Sequence, residues 1–224
     1  MDDSIERRTP PQCVFWDWNG TLQDDLHAAV AGTNAILRDQ GKPEISAERY
    51  REVFSFPARG CYEALGIDVT EDNWDALCDR FFGVFSAEPA VRLFPGAAGA
   101  LRALGAAGAV QAVVSSSERR ALENALMKYG ISGFFAEVCG QDGAAAGSKI
   151  DTARALFGRV GADPARTWMV GDTGHDKEVA DALGIRCVLV ASGYESSARL
   201  ASRGAPVLRS VEEIPAFFGL ADFS

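Results

Sequence analysis

Four short stretches, far apart in the chain, carry residue types that do chemistry together. Asp17-Trp-Asn-Gly-Thr-Leu follows one apolar run and Ser115-Ser-Ser follows a second. Lys149 opens a helical pattern, and Gly171-Asp172-Thr-Gly-His-Asp176 follows a third apolar run. A carboxylate at the end of a buried strand is costly unless it is paired or bound to metal. Two of them, Asp17 and Asp172, together with a backbone carbonyl and waters, form an oxygen donor set suited to Mg²⁺. Asp176 alone reads as an acid complementing the dipole at a helix start. Ser115-x-x-Glu118 alone reads as a capping box. Lys149 is the reverse case, because a cation in a first helical turn opposes the dipole. Its position points to a nearby anion, either phosphate or Asp17. His175 reads as an exposed loop histidine or a neighbour of the substrate rather than a catalytic base.

These residues meet only if particular elements carry them. Buried strands are predicted at 13–18, 110–115, 134–138, 167–171 and 185–190, with a short edge strand at 207–208. Helices are predicted at 117–129, at 149–160 between a capping Ser148 and Gly161, and at 176–183 ahead of Gly184. Such alternation gives an α/β fold, a doubly wound and mostly parallel sheet covered on both faces. Ligands of such sheets bind beyond the carboxyl ends of the strands, near a topological switch point. Residues 26–92 break the alternation. Helical patterns run at 26–37 (closed by Gly41 and Pro43), 47–53, 59–65 and 72–85. The expected organisation is a core of residues 1–24 and 93–224 with a helical cap, 25–92, inserted after the first strand. The Gly/Ala segment 140–147 reads as a loop.

Several function classes are disfavoured. The chain has 224 residues, with 22 Lys+Arg against 31 Asp+Glu, a formal charge of −9. That charge repels phosphate backbones, so nucleic acid is not an expected partner. No run of about 18 apolar residues occurs, so no membrane span is expected. The N-terminus lacks the apolar stretch of a signal peptide. The five cysteines are scattered and odd in number, and read as reduced core residues of a cytoplasmic protein. Zinc spacing, a P-loop, a dinucleotide fingerprint and a serine-hydrolase elbow are all absent.

In their order, Asp17-Trp-Asn-Gly-Thr-Leu, Ser115, Lys149 and Gly171-Asp172-x-x-x-Asp176 resemble the four motifs of the haloacid dehalogenase superfamily, over about residues 12–218. The stretch Gly-Asp-Thr-x-His-Asp-x-Glu-Val-Ala-x-Ala-Leu-Gly resembles the phosphoglycolate-phosphatase-like branch, as does a helical cap after the first motif. The resemblance implies a Rossmann-like core and Mg²⁺-dependent hydrolysis of a small phosphorylated metabolite, by a monomer or homodimer. It implies that Asp17 is the nucleophile and forms an aspartyl-phosphate. Asp17, the Asn19 backbone carbonyl and Asp172 would hold Mg²⁺, with Asp176 in support. Ser115 would bind phosphoryl oxygens, helped by backbone N–H groups near Gly20 and Ser116, and Lys149 would neutralise charge. Arg59, near Phe54-Ser-Phe-Pro57, is a candidate partner for a substrate carboxylate or second phosphate.

The chain departs from the family's pattern at one position. Its phosphatases usually carry an aspartate two residues after the nucleophile, to protonate the leaving oxygen and later activate water. Here that residue is Asn19, whose carboxamide cannot exchange a proton usefully. Losing a general acid/base costs about 10²–10⁴-fold in rate. The readings that follow are a phosphatase with another acid, a slowed phosphatase, or a capped phosphate-binding protein with little or no turnover. A dehalogenase fits less well, because the metal-type aspartate pair is present. A phosphonoacetaldehyde hydrolase would need a Schiff-base lysine in the cap, where Lys42 lies in a Gly-Lys-Pro turn.

Overall fold

In the computed structural model, which describes residues 10–141 and 148–220, the first strand is β1 (Cys13–Trp16). Its four side chains alternate between two cores, as the period of two requires. Val14 and Trp16 join one apolar cluster, and Cys13 and Phe15 join the other. Burial on both faces is what a central strand of a parallel sheet needs, and it explains the unbroken apolar run.

Around β1 stand β4 (Val110–Glu118), β5 (Glu137–Gln141), β6 (Thr167–Gly171), β7 (Arg186–Val190) and β8 (Val207–Leu208), in the order β5-β4-β1-β6-β7-β8. Every pairing in this sheet is parallel. The chain builds outward from β1 to one side, then returns to build outward on the other, so the switch point lies at β1. Helices α5 (Ala97–Ala106), α6 (Arg119–Lys128) and α10 (Ile214–Phe217) cover one face. Helices α7 (Lys149–Val160), α8 (Gly174–Leu183) and α9 (Ser197–Ala201) cover the other.

Between β1 and β4 lies the helical insertion: α1 (Leu26–Asp39), α2 (Ala47–Val53), α3 (Ala58–Ala64) and α4 (Trp74–Phe85). A two-stranded antiparallel ribbon, β2 (Gln23–Asp24) with β3 (Arg92–Leu93), closes its base. The insertion has its own apolar clusters. One of them includes Tyr194, a residue from the core side.

Local signals hold where the structure tests them. Ser148 caps α7 in a reciprocal capping box with Asp151, and Gly161 ends the helix with φ +62°. Three expectations shift. The strand expected to stop at Ser115 continues to Glu118, and α6 starts at Arg119 with the Glu118 carboxylate accepting from Arg120 and Ala121 N–H. Ser115 is therefore a strand residue and not a helix cap. The strand expected at 134–138 is β5 at Glu137–Gln141, because Ser132–Phe134 is used in a 3₁₀ turn. The ribbon and helices α5, α9 and α10 were not anticipated. Of the expected 140–147 loop, residues 142–147 lie outside the described residues, as does the N-terminal stretch judged not to be a signal peptide. No helix among the described residues is long and apolar enough to cross a membrane.

Candidate active site

The carboxyl ends of β1, β4 and β6 lie side by side, and each delivers a polar group. Asp17 follows β1 and is held by its N–H to the Val170 carbonyl at 2.9 Å. Ser115 is buried within β4, and Asp172 follows β6 with no exposure at all. Lys149, the first residue of α7, is buried (4% exposed). Its Nζ donates to Asp17 Oδ1 and to Asp176 Oδ1, the latter at 2.6 Å. The cation that opposed its own helix dipole therefore meets two carboxylates.

Asp172 is fixed from two sides. Its Oδ1 accepts from Thr21 Oγ1 at 2.8 Å and its Oδ2 from the Tyr194 N–H at 2.6 Å. This close packing needs two residues without side chains. A Cβ on Gly20 (φ +77°) would lie 2.3 Å from Asp172 Oδ2, and one on Gly193 would lie 2.1 Å from it. Asp176 Oδ2 accepts from the Thr173 hydroxyl at 2.8 Å and from the N–H groups of Asp172 and Thr173. It thus caps α8 and also anchors Lys149.

Oxygen atoms of Asp17, Asp172 and Asp176 all lie within 4.8 Å of one another. Burial pushes the Asp17 carboxyl up to about 7, with Lys149 opposing and Asp176 adding to the rise. Burial also raises Asp172 well above the usual carboxylate range, reinforced by the charges of Asp17 and Asp176. Burial would lower the Lys149 ammonium, but Asp17 and Asp176 outweigh it and raise it. Three buried carboxyl groups share one ammonium, and their oxygens converge in one cluster. That donor set fits a hard divalent cation.

Asn19 is locked in place. Its Nδ2 donates to Asp25 Oδ2 and its Oδ1 accepts from Ser117 Oγ at 2.6 Å. Asp25 is fully buried and also accepts from Gly20 N–H at 3.1 Å, from Gln23 Nε2 at 2.9 Å and from the Tyr194 hydroxyl. Burial pushes Asp25 up to about 6, with hydrogen bonds from Asn19, Gln23, Tyr194 and Gly20 holding it down. Sequence reasoning did not single out Asp25. Its place just before α1 looks like an ordinary helix cap, yet its side chain makes no capping bond. Tyr194 was missed too, since nothing in its local sequence marks it, and Thr21, although it lies within the first motif, was given no role of its own.

A cavity of about 300 Å³ opens above these groups, lined by Asp17, Asn19, Ser115, Ser116, Lys149 and His175 below and by insertion residues above. Two expected participants stand elsewhere. The Gly20 N–H, expected on phosphate, is committed to the Gln23 carbonyl and Asp25. Arg59 pairs with Glu71 at 2.9 Å and lies over the Trp74 ring, outside the cavity lining. His175 is only 14% exposed at its side chain, bonds Glu178 through Nδ1 and stacks on Phe56 at 4.5 Å. It is therefore not an exposed loop residue but lines the cavity. Four cysteines are buried, Cys78 is half-buried, and all five are free.

Comparison with known proteins agrees with this architecture. Residues 14–190 match the family model described as haloacid dehalogenase-like hydrolase. A phosphoglycolate phosphatase from Caulobacter vibrioides is 33% identical over 190 residues, covering 81% of this chain and 79% of that protein. One from Synechococcus elongatus is 30% identical over 184 residues, covering 82% and 85%. Among solved structures, a haloacid dehalogenase-like family hydrolase from Streptococcus pneumoniae superposes with a TM-score of 0.79 at 18% identity, covering 93% of this chain and 99% of that one.

Proposed function

The chain belongs to the haloacid dehalogenase-like hydrolase family, and from that premise we propose that it is a Mg²⁺-dependent phosphomonoester hydrolase acting on a small phosphorylated metabolite. The observation that carries this reading is Lys149, buried and bonded at once to Asp17 and Asp176, with Asp172 alongside. Asp17, Asp172 and the Asn19 carbonyl would hold the ion, with Asp176 in support. Bound there, Mg²⁺ supplies positive charge to offset the repulsion between carboxylate and phosphate.

The chain's own residues do the rest. Asp17 is the nucleophile: its carboxylate oxygen bonds to phosphorus, the ester P–O bond breaks, and the leaving oxygen departs with the electron pair and takes a proton from solvent, leaving an aspartyl-phosphate. Ser115 Oγ and the backbone N–H at Ser116 receive phosphoryl oxygens. Lys149 neutralises charge on Asp17 and the phosphoryl group. Water then bonds to phosphorus, the Asp17–phosphate bond breaks, and dihydrogen phosphate leaves with both of the water's protons. The division of the chain follows: residues 1–24 and 93–224 form the catalytic core, and 25–92 form the cap.

Asn19 supports a second reading, a phosphate-binding protein with weak turnover. Its amide sits between Asp25 and Ser117 and has no proton to exchange. Phosphate release from a metabolite panel, with Mg²⁺ and with chelator, separates the two. The hydrolase reading expects Mg²⁺-dependent release that falls to background in Asp17→Asn. Release no higher in the wild type than in Asp17→Asn, together with binding of inorganic phosphate, would leave the binding-protein reading.

A further inference from the structure

We infer that the preferred substrate is an aryl phosphate, the phosphomonoester of a phenol-type hydroxyl, and that the cap discriminates against substrates bearing a second anionic group. This rests on the hydrolase reading above and names its substrate class.

Two independent observations converge. The first is the cavity wall. Above Asp17 the cap presents Tyr50, Phe54, Tyr62, Phe81 and Phe85, with Phe82 at the rim. Among the described lining residues the carboxylate of Asp17 and the ammonium of Lys149 are the only formal charges besides His175. Both lie at the phosphate end. The cap's cations are engaged elsewhere. Arg51 donates to the Ser192 and Gly193 carbonyls, Arg59 pairs with Glu71, and Arg80 pairs with Asp39. Arg38, Lys42 and Arg49 pair with Glu44, Asp68 and Glu52. A substrate carboxylate reaching into the cap's ring-lined space would lose its water and meet no arginine or lysine of the cap. An aromatic ring would lose water and gain ring-to-ring contact. The volume of about 300 Å³ accommodates a ring with its phosphate.

The second observation is chemical. With Asn19 locked between Asp25 and Ser117, no carboxylic acid stands at that position to protonate the leaving oxygen. An alkoxide leaves poorly without a proton, whereas a phenolate is a far weaker base and leaves as the anion. In the first step the Asp17 carboxylate bonds to phosphorus, the aryl O–P bond breaks, and the phenolate departs with the electron pair and takes a proton from solvent. The second step is the water attack described above. Ring-lined space and a missing acid favour the same leaving group.

The test separates pocket from leaving group. Phosphate release with Mg²⁺ is measured for phenyl phosphate, benzyl phosphate and 2-phosphoglycolate. Benzyl phosphate carries a ring but an alkoxide leaving group. We expect kcat/KM for phenyl phosphate to exceed that for 2-phosphoglycolate by at least about 10²-fold, and benzyl phosphate to exceed it by at least about 10-fold, the scale of discrimination in apolar pockets. Titration calorimetry with the non-hydrolysable phenylphosphonate and 3-phosphonopropionate reads the pocket without turnover, and the former should bind at least about 10-fold more tightly. Phe82→Lys, at a rim position that is 59% exposed, should narrow both ratios. Equal or better use of 2-phosphoglycolate, or equal binding of the two phosphonates, would overturn the inference and leave the hydrolase reading intact. Selective binding of phenylphosphonate with no release from any ester would overturn the hydrolase reading while supporting the ligand class.

Discussion

Replacing Asn19 with aspartate restores the family's usual residue, but the structure says that the exchange is not simple. The Asn19 amide donates to Asp25 Oδ2 at 2.5 Å. Two unit charges at an ordinary contact of about 3 Å repel by about 5–6 kcal/mol even at an effective dielectric of about 20. The new pair will therefore keep one proton through neutral pH. Asp25 is already pushed up to about 6 while the amide helps to hold it down, so the pair's upper pKa lies above that value. Once that proton is lost the variant also lacks a hydrogen bond to a charged group, worth about 1.5–3 kcal/mol. For a chain of this size that corresponds to a fall in Tm of roughly 3–12 °C.

The sign with pH follows from linkage. A carboxyl whose folded-state pKa is raised above its unfolded value favours the fold fully below the unfolded value of 3.8. That contribution disappears as pH rises through the raised folded value. Asn19→Asp should therefore trail the wild type least near pH 5 and most near pH 8, as read by thermal unfolding. The retained proton also supplies an acid, so hydrolysis of alkyl phosphates should rise by at least about 10-fold near pH 6, within the range expected for general acid catalysis. Aryl phosphates should gain less. The exchanged pair, Asn19→Asp with Asp25→Asn, again places one amide against one carboxylate and should recover at least half of the lost stability. Equal Tm for Asn19→Asp and wild type at pH 8, or a double variant no better than the single, would refute the argument that Asp25 governs this position.

Three further outcomes follow from the same geometry. Lys149→Met removes the ammonium shared by Asp17 and Asp176, and in chelator it should cost about 3–5 kcal/mol in denaturant unfolding. Saturating Mg²⁺ should raise the wild-type unfolding free energy by about 2.7 kcal/mol at a hundredfold excess over Kd, and Asp172→Asn should lose most of that gain. Gly193→Ala brings a methyl to 2.1 Å from Asp172 Oδ2, and it should weaken the Mg²⁺-dependent rise in Tm more than it lowers Tm in chelator.

How much of this was legible in sequence depends on how local the cause is. Ser148 and Gly161 mark the ends of α7 because capping and the left-handed turn act within a few residues. Lys149 was legible through its misfit with the helix dipole, and the strand-end aspartates through the cost of burying them. Taken alone Ser115 reads as a cap, because its serine-to-glutamate spacing is real, and only the resemblance gives it a phosphate role; β4 shifts register between Val114 and Glu118 and carries the strand onward. Asp25 was invisible for a different reason. An aspartate before an apolar helix looks like a cap, and only the tertiary fold shows its carboxylate turned to Asn19 and Tyr194. The β2–β3 ribbon has two residues per strand, too few for any periodicity.

The stretch from Ser192 to Glu195 is answerable to both halves of the molecule. The Ser192 and Gly193 carbonyls receive Arg51 from α2, while Arg199 of α9 reaches the Arg51 and Phe54 carbonyls in return. The next peptide N–H, at Tyr194, steadies Asp172, and Glu195 accepts from Gly174 at the start of α8. Any tilt of the helical insertion would therefore tug on the same peptides that hold Asp172, so the two cannot be tuned separately by changes in this stretch. One residue added there would loosen the seam between insertion and core and disturb the seat of Asp172 in a single stroke.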